Sequence, residues 1–149
     1  MLPLMPRYAS HLALHADAET AVDVAADHLE LELRPSLVVV CASDAFREDA
    51  DQVRAAIARR FPDALVAGAV IPGGVIGVGE EVEDRPAVSV LAADLPPGAV
   101  RVVELDDADD LPGDAPVAVV FADPFTLDAE HLVARADAAG CATKCSASS

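Results

Sequence analysis

The chain has 149 residues, room for one domain whose core buries roughly two-thirds of the unfolded surface. Hydrophobic residues make up 53% of it, which excludes a disordered chain, and aromatic residues only 3%, so the core has to be built from Ala, Val, Leu and Ile. Ten basic against 26 acidic side chains leave a net charge of −16, a potential that repels phosphate backbones and anionic bilayers, so neither nucleic acid nor membrane is an expected partner of this acidic protein.

In chain order, Met1 to Arg7 lacks the basic start and long apolar stretch of an export signal. Residues 8–14 read as a first strand with Leu12 and Leu14 on one face. Asp17 reads as the N-cap of a helix running to about Leu33, whose apolar stripe is Ala18, Ala21, Val22, Ala25, Leu29 and Leu33. Pro35 and Ser36 stop it. The run Leu37-Val-Val-Val-Cys-Ala42 is continuous, as in a strand of a parallel sheet buried on both faces. A second helix is expected over 44–61, with Phe46, Ala50, Val53, Ile57 and Phe61 on its inner side and Arg59-Arg60 at its end. Residues 65–70 form the third strand.

Beyond 79 the rhythm changes. Residues 87–92 and 100–105 read as an antiparallel pair, 106–116 as an exposed acidic loop, 117–122 as another buried strand and 128–138 as a helix. The fold class expected is α/β: a mixed sheet with a parallel βαβαβ first half plus antiparallel strands, helices packed on it, and a C-terminally truncated end. The last residues, 140–149, are small and polar and are expected to be a disordered tail. The apolar stretch 65–78 is short and broken by Pro72 and glycines, too short to span a bilayer, so a cytoplasmic protein is expected.

The segment from Gly68 to Gly79 places five glycines among aliphatic residues just before an acidic run. It lacks the following helix of a dinucleotide fingerprint. Two readings remain: a structural turn where backbone passes a neighbouring strand, or a pocket wall that admits a ligand. Open α/β sheets bind ligands at the carboxyl ends of their strands. That rule nominates Ser43, Asp44, Gly73, Gly74 and Asp123 as the lining of a small polar pocket. The competing reading makes Ser43 or Asp44 a helix cap and Asp123-Pro124 a turn starter.

No catalytic or metal constellation emerges. His11 and His15 would lie about 13 Å apart along a strand at ~3.3 Å per residue, too far for one ion. His28 and His131 fall on separate helices. Heme needs only one axial histidine, so a heme-binding sensor stays open as an alternative. Cys141 and Cys145 lack further ligands nearby, and Cys41 reads as a small buried hydrophobe. Ser43 has no nucleophile-elbow context.

Taken in order, Leu37-Val-Val-Val-Cys-Ala-Ser43, Val66-Ala-Gly68, Gly73-Gly-Val-Ile-Gly77 with Glu81, Pro86-Ala-Val-Ser-Val-Leu-Ala92 and Ala122-Asp-Pro-Phe125 resemble the FIST N-terminal domain family over residues 7–139. The resemblance implies a non-enzymatic, intracellular sensory domain of signal transduction. It implies a small-molecule ligand, amino acids being candidates, and a FIST C-terminal domain or a signalling protein as partner. No resident cofactor is expected, although some members bind heme. Ala69 stands where relatives often carry Cys or a small polar residue, which argues against a thiol-based role. The chain also ends before an expected glycine-rich strand, as a fragment or frame-shifted product would. Two further readings stay open: an enzyme domain of unknown reaction, and a truncated remnant that binds nothing.

Overall fold

The computed structural model describes residues 7–29, 34–77, 79–114, 116–123 and 126–140. Leu33, the Pro124-Phe125 pair and the tail beyond Gly140 lie outside them, but the helix expected to run to about Leu33 already ends at Asp27, with His28 as its C-cap. By its contacts the chain divides into two units, Met1–Val102 and Val103–Ser149.

The first unit holds strand β1 (Arg7–Leu14), helix α1 (Ala18–Asp27), strand β2 (Leu37–Ser43), helix α2 (Ala50–Arg60), strand β3 (Leu65–Ile71), strands β4 (Gly74–Gly77) and β5 (Glu80–Glu83), and strand β6 (Ala87–Asp94). Helix α1 starts where the sequence predicts, because Asp17 Oδ1 accepts the Thr20 N–H at 2.8 Å. A 3₁₀ turn at Asp44–Phe46 precedes α2, so the single helix expected over 44–61 is split.

Four strands form a mixed sheet in the order β1-β6-β2-β3. Strands β2 and β3 are parallel, while β6 runs antiparallel to both β1 and β2. The three strands of the first half therefore point the same way, as the βαβαβ rhythm predicts, but β6 is inserted between the first two. This insertion explains a failed expectation. Both hydrogen-bonding edges of β6 are taken by β1 and β2, so residues 100–105 find no edge there and form no strand.

One sheet face is sealed by the helices. Val38, Val40 and Ala42 of β2 and Val88, Val90 and Ala92 of β6 pack with Ala18, Ala21, Val22 and Ala25 of α1 and with Val53, Ala56 and Ile57 of α2. The small side chains of α1 let it approach closely, which is how a core with so few aromatics closes. On the other face β2 is only half-buried, at Leu37, Val39 and Cys41, rather than fully buried as expected. The β4–β5 hairpin covers part of that face, with Val75 and Val82 packed with Ala87 against Leu12, Cys41 and Ile71.

In the second unit, helix α3 (Ala129–Ala138) is capped by Asp128, whose Oδ1 accepts the His131 N–H. Leu111 and Ala136 make a small cluster. The buried strand expected over 117–122 is not there: Val117 is 62% and Val119 73% exposed, in irregular backbone. An apolar run becomes a strand only when a neighbour pairs with it, and the described residues of this unit include no strand.

Candidate functional site

The register of the sheet decides which loops meet. Ser43 at the end of β2 stands opposite Ile71 at the end of β3. Strand β6 runs the other way and begins beside them, with Val88 opposite Ala42. Three chain segments thus converge at one end of the sheet: the turn after Ser43, the Pro72-Gly73 bend and the residues entering β6. They enclose a hollow of about 230 Å³ lined by Ser43, Asp44, Gly73, Gly74, Asp84 and Arg85.

Four of the five residues nominated from sequence therefore share one hollow. Asp84 and Arg85 were missed, although the acidic run ending in Arg85-Pro86 just before a strand was visible. What hid them was direction: only the antiparallel placement of β6 brings its beginning to the carboxyl end of β2. Asp123 belongs to the second unit and is not among the lining residues. Its carbonyl accepts the Thr126 and Leu127 N–H groups, each at 3.1 Å, as a turn starter does.

Ser43 is 4% exposed, and its Oγ accepts the Ala87 N–H at 3.0 Å. It precedes the 3₁₀ turn without capping it. Asp44 Oδ1 accepts from Arg47 Nε at 2.8 Å. Arg85 approaches Glu80 at 3.6 Å. Gly73 adopts a φ of 95° and Asp84 one of 54°. The first needs glycine, and the second is a region that Asp visits more readily than most residues. The hollow thus presents two carboxylates, one guanidinium and exposed backbone.

The glycine segment is accounted for structurally. A Cβ on Gly77 would meet Leu12 Cβ at 2.2 Å, and one on Gly74 would meet the Val82 carbonyl oxygen at 2.7 Å. The bare Gly77 lets the hairpin approach Leu12 of β1, and the bare Gly74 lets β4 pair closely with β5. Ser89 fastens it further, its Oγ donating to the Ile76 carbonyl at 3.0 Å.

Elsewhere, His11 stacks on His28 with ring centroids 4.4 Å apart and planes 9° from parallel. Reading the strand that carries His11 and the helix that ends at His28 separately concealed this pair. Burial, and secondarily the His28 charge, hold His11 below the usual imidazole range. Desolvation pushes the Cys41 thiol up, which disfavours the nucleophilic thiolate. Among the described residues no three metal-ligating side chains cluster, and no helix is long and apolar enough to cross a membrane.

A protein-family model described as the FIST N domain matches residues 36–145, well over half of the chain and reaching into both units. No curated protein and no solved structure matches.

Proposed function

Because this chain belongs to the FIST N domain family, a class of sensory signal-transduction domains, we propose that it senses a small zwitterionic ligand held in the hollow at the end of β2 and reports occupancy to a partner. The observation that carries this reading is the convergence of Asp44, Asp84 and Arg85 beside Gly73 and Gly74. An α-carboxylate suits the planar fork of Arg85. An ammonium group suits Asp44 or Asp84. Drug-sized pockets span about 300–1,000 Å³, so a hollow of about 230 Å³ fits something the size of a small amino acid. The partner in this reading is a FIST C-terminal domain or a signalling protein, the setting is the cytoplasm, and no cofactor takes part.

We read the domain as non-enzymatic. The Ser43 hydroxyl, the natural candidate for a nucleophile, is buried and engaged by the Ala87 N–H. Attack through it would leave that N–H without its acceptor. Titration calorimetry with the common amino acids and their decarboxylated amines tests the reading. At least one amino acid should bind, its amine should not, and Asp44→Asn and Arg85→Gln should each weaken binding about tenfold, the worth of one charged hydrogen bond. Binding unaffected by both substitutions, or no binding by any amino acid, overturns it. A turnover lost on substituting Ser43 would overturn the non-enzymatic part.

A further inference from the structure

At the other end of the same strands, where β2 and β3 begin, a larger cavity of about 590 Å³ opens between the ends of α1 and α2. Leu29, Phe61 and Pro62 supply apolar wall, and Arg34, Arg60 and Asp63 supply charge. Arg60 is committed, paired with Asp27 and lying 3.8 Å from Asp23. Arg34 is different. Among the described residues it has neither a hydrogen bond nor an ion pair, although the chain carries a net charge of −16 and acids outnumber bases 26 to 10. In such a chain most guanidinium groups are claimed by a carboxylate, as those of Arg47, Arg59 and Arg60 are. One left unclaimed at the mouth of a partly apolar cavity is a ready receptor for an anion from outside.

We propose that this cavity is a second ligand site, taking a small carboxylic acid with an apolar body: the carboxylate on Arg34, the hydrocarbon against Leu29, Phe61 and Pro62. Its volume, about 590 Å³, falls within the usual range for small-molecule sites. A fork-shaped guanidinium matches a carboxylate in two parallel hydrogen bonds. Asp63, exposed at the same cavity, opposes the incoming charge and favours acids of low charge over polyanions. The site shares no residue with the hollow at the opposite end of β2, so either can fail without the other.

Phenylacetate and its neutral counterpart phenylacetamide are suitable probes, titrated into the ¹⁵N-labelled full chain at low salt. Phenylacetate should give saturable shifts centred on residues 26–29, 34–36 and 60–64, and phenylacetamide should bind at least tenfold more weakly. Arg34→Gln should weaken phenylacetate about tenfold, as loss of one charge-assisted contact does. Asp63→Asn, which removes the opposing charge, should tighten it. Arg34 and Asp63 are both exposed, so neither change threatens the fold. Equal affinity for acid and amide, unchanged affinity in Arg34→Gln, or no saturable shift at these residues overturns the proposal.

Discussion

Ser43 illustrates how a single side chain can look functional and yet carry structure. Its hydroxyl replaces a backbone partner for Ala87, the first residue of β6. Ser43→Ala should leave that buried N–H unsatisfied and cost about 1–3 kcal/mol in urea denaturation. Asp44→Asn, on an exposed side chain, should cost well under that. Equal losses in the two variants would mean that the hydroxyl adds nothing beyond its neighbour. The His11–His28 stack makes a second prediction at this scale. Because the folded-state pKa of His11 lies below its unfolded value of 6.5, the unfolded chain takes up more protons near that pH. Stability is then full above about pH 6.5 and falls as the pH drops through that value toward the folded pKa. Melting temperature should decline from about pH 7.5 to about pH 5.5, and His11→Gln should flatten the decline. An identical pH profile in that variant would remove His11 as its source.

Elements whose ends are set by local chemistry were legible in the sequence. The α1 start was readable because Asp17 caps it through Thr20, and its inner stripe was readable because Ala18, Ala21, Val22 and Ala25 all bury, whereas Leu29 buries beyond the helix end at Asp27. Elements that exist only through long-range pairing were not legible. Residues 100–105 and 117–122 have the composition of strands, but composition does not supply an edge. The reverse happened in the glycine segment, where residues of poor strand propensity form the β4–β5 hairpin because they must lie against β1. That origin is testable. Gly77→Ala drives a Cβ into Leu12 at its root rather than at its flexible end. It should cost about 1–3 kcal/mol, as overpacking does, and should perturb β1 amide resonances as well as those of the hairpin. A neutral Gly77→Ala would show that the hairpin floats free of β1.

At the scale of the whole molecule, the candidate site was half legible for the same reason. The rule that ligands gather at the carboxyl ends of parallel strands found Ser43, Asp44, Gly73 and Gly74, all of which follow β2 or β3. It could not find Asp84 and Arg85, which reach the same hollow from the beginning of an antiparallel strand. The two units differ sharply in what holds them. The first has a core in which Val22, Val38, Ile57, Val88 and Val90 are fully sealed from solvent. The second has Leu111 and Ala136, with Leu105, Leu132 and Ala139 partly buried against them. Burying an aliphatic side chain contributes roughly 1.5–3 kcal/mol, whereas ordering backbone costs roughly 1–2 kcal/mol per residue. So small a cluster cannot offset the ordering of the ten residues of α3 by a wide margin. Amide hydrogen exchange on the intact chain should therefore show two levels. Amides of β2 and β6 should open only with global unfolding, while those of α3 should exchange orders of magnitude faster, through local opening. Protection of α3 equal to that of β6 would mean that the second unit draws its stability from contacts other than its own cluster, and the two units would then have to unfold as one.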